Sequence, residues 1–179
     1  MTLYTHQESP LGTLLFTSNG DRLTGLYFAD QDHAPEIDGD WVEDANAAIF
    51  LQVQEQLEEY MAGERETFDL PLHFSGTRFQ VQVWQELAAI PFGRTISYTE
   101  LAQRAVSTEA IRAVGTATGM NRISIIIPCH RVIGKNRSLT GYAGGLARKK
   151  ALLEFESARV QGRSAVLELV EEQPALALV

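Results

Sequence analysis

The feature that most constrains this chain is the stretch 128–131, which reads Pro-Cys-His-Arg and contains the only cysteine of the sequence. An apolar run at 123–127, Ile-Ser-Ile-Ile-Ile, leads into it. Proline ends regular backbone hydrogen bonding. Adjacent residues of a regular helix or strand do not face one another, so Cys129 and His130 need an irregular backbone or a bridging water to cooperate. We therefore expect an irregular turn at the thiol.

The lone thiol leaves two interpretations open. A free cysteine has a pKa near ~8.5, so only a few per cent is thiolate at pH 7, and an imidazole or nearby cations can lower that pKa. Cys129 is thus either an activated nucleophile or a buried structural cysteine followed by a chance histidine. A single cysteine excludes an internal disulfide and a zinc site of paired CxxC motifs, and we expect no metal site.

The composition is that of one or two small domains, since the chain has 179 residues of which 45% are hydrophobic. The first residues lack a basic region followed by an apolar stretch, so we expect no secretory signal. No apolar run approaches the ~20 residues that span a bilayer. We expect a protein of the reducing cytoplasm that does not enter a membrane.

The charge is strongly divided along the chain, although the net charge of −8 alone argues against nucleic acid. Residues 1–75 have 2 basic and 15 acidic side chains, whereas residues 76–157 have 11 basic and 5 acidic ones. A chain of this kind can present one basic face to a polyanion while its other half stays acidic. The division could equally reflect only how the two halves pack.

The first half is predicted to contain strands and one helix. Leu11–Thr17 and Leu23–Phe28 are short apolar strands joined by turn residues at 18–21. Apolar residues at helical spacing predict a helix over Ala45–Met61 that Gly63 ends. Phe68–Phe74 is a strand or connector. The charge changes sign at 75–77, which predicts domains at 1–75 and 76–157 and a tail of unknown role at 158–179.

The second half is predicted to be mainly helical. Ser97 and Glu100 have the spacing of a capping box for a short helix that ends at Arg104. Ser107 or Thr108 could cap a second helix, Glu109–Thr118, and two such helices are consistent with a helix-turn-helix. A glycine-rich loop at 134–145 matches neither the P-loop nor the dinucleotide fingerprint. The final helix is predicted over Leu146–Glu156.

Residues 78–156 resemble the catalytic domain of the O6-alkylguanine-DNA alkyltransferases, also called methylated-DNA–protein-cysteine methyltransferases. The matching pieces, in the family's order and spacing, are 79–84 (Phe-Gln-Val-Gln-Val-Trp), 90–93 (Ile-Pro-Phe-Gly), 96–98 (Ile-Ser-Tyr), 112–115 (Arg-Ala-Val-Gly), Asn121, 127–134 (Ile-Pro-Cys-His-Arg-Val-Ile-Gly) and 141–145 (Gly-Tyr-Ala-Gly-Gly). Residues 1–75 are similar in pattern to the family's N-terminal α/β domain. The resemblance implies an α+β fold, with a ribonuclease H-like sheet and helix followed by a helical domain with a winged-helix-like helix-turn-helix.

The resemblance also implies a suicide DNA repair protein, with no cofactor, that acts as a monomer on double-stranded DNA. Such a protein flips an O6-alkylguanine nucleotide out of the duplex and moves the alkyl group irreversibly onto its own cysteine. Activity on O4-alkylthymine is left open. Flipping is required because a stacked base cannot present its O6 substituent to a buried sulfur.

Five residues acquire catalytic roles from the resemblance. It makes Cys129 the nucleophile, and His130 acts on the thiol through a water while Glu156 orients the imidazole, in a variant of triad logic. Tyr98 donates its hydroxyl to guanine N3. Asn121 holds the cysteine-bearing segment through backbone hydrogen bonds.

The resemblance assigns four further residues to the substrate. Backbone groups of Cys129 and Val132 read the edge of the base, and the Ala143 amide meets O6. Tyr142 and the neighbouring glycines, Gly144 among them, form the wall of the pocket.

Arginines supply the expected DNA contacts. Arg112 matches the family's arginine finger, which fills the gap left by the flipped nucleotide, and the second helix of the motif lies in the minor groove. That groove has little sequence information. Arg104, Arg122, Arg131 and Arg137 either contact phosphates or have a local structural role.

The chain departs from the family's pattern at two places. The connection at 105–108 reads Ala-Val-Ser-Thr where the family usually has a glycine and a proline, and Val106 would be strained at a positive φ. Ser124 stands where a pocket proline often occurs, which leaves the preference for bulky adducts open.

Two other functions remain as alternatives. A damage sensor would bind alkylated DNA without accepting the alkyl group, but such relatives replace the cysteine. A cysteine hydrolase would need His6, His33 or His73 as a distant base, and no hydrolase signature surrounds Cys129.

Overall fold

The computed structural model of the protein describes residues 1–167. Its first part is built on four strands, which are β1 (Leu3–Gln7), β2 (Leu14–Ser18), β3 (Leu23–Phe28) and β4 (Val42–Glu43). They form a sheet of order β3-β2-β1-β4, with β4 parallel to β1 and the other pairs antiparallel. Strand β2 begins later than predicted because the Ser9 hydroxyl and Gly12 carbonyl close a tight turn before it, where Gly12 has φ 102.

Helix α1 (Ala48–Met61) lays an apolar face on this sheet and has Phe50, Val53 and Tyr60 fully buried. It begins after the predicted Ala45 because the Asp44 carboxylate accepts the Asn46 N–H and holds these residues in a turn. Beyond α1, residues 68–74 are a connector rather than a full strand. They pair with β3 only around Leu72.

Residues 76–167 contain four α-helices and two short strands. These are α2 (Arg78–Ala88), β5 (Ile96–Ser97), α3 (Tyr98–Ala105), α4 (Ile111–Gly119), β6 (Val132–Ile133) and α5 (Leu146–Val160). β5 and β6 pair in parallel. The indole N–H of Trp84 in α2 donates to the Ala117 carbonyl in α4 at 2.8 Å, which fixes α4 against the helical core.

The predicted capping box of α3 is half correct. The Ser97 hydroxyl accepts the Glu100 N–H at 3.1 Å, but the Glu100 carboxylate pairs with Arg104 instead of reaching back to the cap. A reciprocal box occurs at α2, between Thr77 and Gln80. The sequence analysis did not identify that box.

The connection between α3 and α4 avoids the strain expected at Val106, which has φ −148. A 3₁₀ turn at Thr108–Ala110 follows, so α4 begins at Ile111 rather than at Glu109. Neither predicted cap, Ser107 or Thr108, makes a side-chain capping bond to these helices. Extended residues thus complete the turn, and Val106 does not take the positive φ at which it would be strained.

Helix α5 continues past the predicted end at Glu156 to Val160. Of the predicted tail, residues 168–179 lie outside the described residues, and the division at 75 and 157 stays a prediction. Leu167 is buried at 4% exposure and packs on the core.

Among residues 1–167, no helix has the length and apolar character to cross a bilayer.

Candidate active site

Cys129 begins a 3₁₀ turn, Cys129–Arg131, at the end of a buried and irregular segment. Ile125 has φ 70, a left-handed conformation that is rare for a β-branched residue. Pro128 (φ −80, ψ 63) then leads out of the segment. The structure thus places the thiol on the irregular turn that the sequence predicts, with Cys129 6% exposed.

Asn121 connects the end of α4 to this turn. Its Nδ2 donates to Cys129 Sγ at 3.2 Å and to the Ile127 carbonyl at 2.8 Å, and its Oδ1 accepts the Ile123 N–H at 3.1 Å. The amide therefore contacts the sulfur directly as well as the backbone around it, which goes beyond the role expected from the sequence.

His130 and Glu156 form a buried pair, with His130 Nε2 2.8 Å from Glu156 Oε1. The carboxylate also accepts hydrogen bonds from the Tyr60 hydroxyl at 2.8 Å and from Arg131 Nε and NH2. Because Glu156 occupies Nε2, the other nitrogen, Nδ1, is the one that can take up a proton. Nδ1 makes no hydrogen bond within residues 1–167.

The electrostatics of this pair follow from burial and charge. Desolvation raises the pKa of Glu156, but the adjacent His130 and Arg131 outweigh it and bring that pKa to about 2. Desolvation lowers the pKa of His130 even though Glu156 opposes the change. Glu156 is thus an anion at neutral pH, and the imidazole beside it is a neutral base.

The Cys129 thiol lies among groups that shift its pKa in opposite directions. Burial raises its pKa, while the Asn121 hydrogen bond and the Lys149 charge act in the opposite direction.

Lys149 was not a predicted site residue, yet its ammonium is fully buried. It donates to three carbonyls, those of Val132 (2.6 Å), Thr140 (3.0 Å) and Gly141 (3.2 Å). A lysine in a helix was the only signal in the sequence, and it does not indicate burial.

A cavity of about 100 Å³ opens beside Cys129, between α3, α4 and the glycine-rich loop. It is lined by Tyr98, Gly115, Thr118, Gly119, Cys129, Gly141, Tyr142 and Ala143. We call residues 141–143 the cavity wall. The Tyr98 hydroxyl donates to the Thr140 carbonyl at 3.2 Å, and desolvation raises the pKa of that phenol. Tyr98 therefore stays protonated and can donate.

Two predicted substrate residues lie outside this lining. The Val132 carbonyl accepts from Lys149 and retains a second lone pair for another donor. Gly144 packs under the Phe28 ring, which a Cβ at this glycine would approach to 2.5 Å. Because Gly144 has no side chain, the Phe28 ring can pack directly behind the cavity wall.

The four predicted DNA-contacting arginines divide into two groups. Arg112 and Arg122 are exposed, on α4 and just after it, and Arg104 is exposed but pairs with Glu100. Arg131 is 5% exposed and fully engaged by Glu156 and by the Ile90 carbonyl at 2.6 Å. Of the two roles left open for Arg131, these contacts favour the local structural one, because its guanidinium neutralises the buried Glu156 carboxylate.

Comparisons with known proteins identify the family of this chain. Residues 2–74 match the family model "6-O-methylguanine DNA methyltransferase, ribonuclease-like domain", and residues 78–158 match "6-O-methylguanine DNA methyltransferase, DNA binding domain". The chain belongs to the methylated-DNA–protein-cysteine methyltransferase family. The resemblance predicted from the sequence is confirmed, and so is the predicted fold class, a sheet domain followed by a helical one.

Relatives of this family are similar over most of their length. The constitutive methylated-DNA–protein-cysteine methyltransferase of Bacillus subtilis is 44% identical over 159 residues, which cover 86% of this chain and 93% of the relative. The Mycobacterium tuberculosis (strain H37Rv) protein of the family is 45% identical, covering 89% and 94%. A crystal structure of Mycobacterium tuberculosis OGT in complex with DNA has a TM-score of 0.81 at 44% identity, covering 88% of this chain and 94% of that one.

Proposed function

We propose that this chain repairs O6-alkylguanine in double-stranded DNA by moving the alkyl group onto Cys129 in one irreversible turnover. The observation that carries the proposal is the position of Cys129, which lines a cavity between Tyr98 and Ala143 while Asn121 holds its sulfur. Family membership supplies the reaction, and this geometry supplies a nucleophile, a donor and a space for the lesion.

The chemistry begins at His130. Its Nδ1 takes the thiol proton through a bridging water, and the Glu156 anion stabilises the imidazolium that results. The thiolate attacks the alkyl carbon in line, so the S–C bond forms as the C–O6 bond breaks and its electron pair passes to the guanine. Tyr98 donates to N3 and stabilises the departing guanine anion. The thioether is not reversed, so each molecule acts once.

Nucleotide flipping brings the lesion to the buried sulfur at a cost of a few kcal/mol, which is smaller for a damaged and weakly paired base. Arg112 is exposed on α4, the second helix of the helix-turn-helix, and we assign it to the gap that the flipped nucleotide leaves. Arg104 and Arg122 are assigned to phosphates. We also propose that the protein is a monomer and that it works in the reducing cytoplasm, where the thiol stays reduced.

The test is incubation of the protein with duplex DNA that contains one labelled O6-methylguanine, followed by mass spectrometry. We expect one methyl group per chain, on Cys129, and none on a Cys129→Ser variant. Transfer by Cys129→Ser would rule the mechanism out. Tight binding without a mass increase would favour a damage sensor, and multiple turnover on an ester or peptide would favour a hydrolase.

A further inference from the structure

Strand β3 reaches the back of the cavity wall. The Phe28 ring packs against Tyr142 in a T-shaped arrangement, with centroids 6.0 Å apart and an interplanar angle of 67°. Gly144 approaches the same ring so closely that no Cβ would fit. A residue from the acidic first half of the chain thus supports the surface that faces the sulfur.

One side chain of α5 holds this contact in place. The Arg148 guanidinium lies 4.6 Å from the centroid of the Phe28 ring and donates to both Asp30 oxygens, at 2.7 and 3.0 Å. It also donates to the Leu11 carbonyl at 2.7 Å and to the Gly144 carbonyl at 3.1 Å. A single planar cation therefore joins the β1–β2 turn, the end of β3 and the residue after the cavity wall.

The glycine-rich loop that includes the cavity wall needs such anchors. Residues 134–145 lie between β6 and α5 without a helix or strand of their own. Lys149 binds the Thr140 and Gly141 carbonyls at one end of the wall. Arg148 binds the Gly144 carbonyl at its other end. Two consecutive side chains of α5 thus hold both ends of the wall.

We propose that Phe28, Asp30 and Arg148 form a clamp that positions the cavity wall against Cys129, so that the first half of the chain contributes positioning residues to alkyl transfer. This rests on the proposed function. None of the three residues is among those that line the cavity, so they act through Tyr142 and Gly144. A displacement near 1 Å at a reacting site can cost ~100-fold in rate.

The test compares Arg148→Met with Arg159→Met under single-turnover conditions, using free O6-benzylguanine and alkylated duplex DNA. Arg159 is a matched control because it also lies on α5 and donates to a carbonyl of the first half, that of Gly63, at 2.6 Å. We expect Arg148→Met to slow transfer from both substrates by ~10- to ~100-fold. Alkylation of Cys129 by iodoacetamide should change less than about twofold, because the thiol itself is untouched.

A second measurement asks whether Asp30 and Arg148 act together, by comparing the single variants with the double variant. Asp30→Asn should slow transfer as well, and its loss should not add to that of Arg148→Met, since both variants release the same contact. The clamp is overturned if Arg148→Met transfers at the unaltered rate, if Arg159→Met slows transfer equally, or if iodoacetamide labelling falls in parallel. An inactive unaltered protein would instead refute the proposed function, so the two failures are distinguishable.

Discussion

His130 Nε2 and Glu156 Oε1 lie 2.8 Å apart, and both side chains are buried. The same carboxylate neutralises Arg131, so one anion holds a base and compensates a buried cation. We expect Glu156→Gln to leave the Arg131 charge unpaired and to lower the free energy of unfolding by about 3 kcal/mol. Alkyl transfer should slow as well, because the imidazolium loses its counter-ion. Denaturant unfolding measures the first effect and single-turnover labelling the second.

Glu154→Gln is the control for this variant, because Glu154 is an exposed carboxylate of the same helix that pairs only weakly with Lys150, at 3.8 Å. It should change unfolding by less than about 0.5 kcal/mol. Equal stability of the Glu156→Gln variant and the unaltered protein would contradict the role assigned to this carboxylate.

Acid should weaken the fold in two separate pH windows. The pKa of Glu156 is depressed from 4.5 to about 2 in the folded chain, so its contribution is complete above 4.5 and is lost as pH falls toward 2. The pKa of His130 is lowered from 6.5 by burial, so the unfolded chain binds the proton first and stability declines as pH falls through 6.5.

Urea midpoints measured from pH 8 to pH 2 test both windows. Relative to the unaltered protein, His130→Asn should flatten the loss of stability near pH 6.5 and Glu156→Gln the loss below pH 4.5. Parallel curves for all three proteins would show that neither group has the shifted pKa.

Asn121 should set the pH at which the thiol reacts. Burial raises the pKa of Cys129, and the Asn121 amide opposes this through a hydrogen bond to sulfur. A hydrogen bond to a charged group contributes roughly 1.5–3 kcal/mol, or about one pKa unit or more. In Asn121→Ala the midpoint of the iodoacetamide rate against pH should therefore rise by at least about one unit. Asn46→Ala, in an exposed turn, should leave it in place, and an unmoved midpoint in both variants would refute the contact.

Arg112 should affect the rate of transfer from duplex DNA and not the alkyl-transfer step at Cys129 itself. It is exposed on α4 and does not line the cavity at Cys129. We expect Arg112→Ala to slow transfer from duplex DNA far more than transfer from free O6-benzylguanine, because only the duplex requires flipping. Arg22→Ala, on the turn between β2 and β3, controls for the loss of a positive charge. Equal losses on the two substrates would remove the assignment.

DNA affinity should fall as salt rises. A protein that neutralises Z phosphates shows a slope of log K against log salt of about −0.9Z on duplex DNA. If Arg104 and Arg122 both contact phosphates, replacing each with alanine should make the slope shallower by about one, measured by fluorescence anisotropy. A slope that neither variant changes would place the phosphate contacts on other residues.

Local sequence signals predicted much of this molecule. The Pro-Cys-His-Arg stretch indicated an irregular turn with a thiol, and helical spacing and Ser97 located α1 and α3 to within a few residues. The sequence was least informative where a side chain is buried by contacts with elements that are distant along the chain. The role of Arg131 stayed open because a sequence does not show that Glu156 and Ile90 surround its guanidinium, and Lys149 was overlooked for the same reason.

The sequence by itself determined the irregular turn at Cys129, the histidine beside the thiol and the Ser97 helix cap, because these features depend on residue type and short spacing. Only the tertiary structure decided the protonation of the buried side chains, the residues that contact them and the residues that hold the cavity wall in place. Tyr60 and Glu156 meet across 96 positions, and Arg148 and Asp30 meet across 118. Burial and charge pairing depend on distances in space, which chain folding creates and which no local pattern encodes.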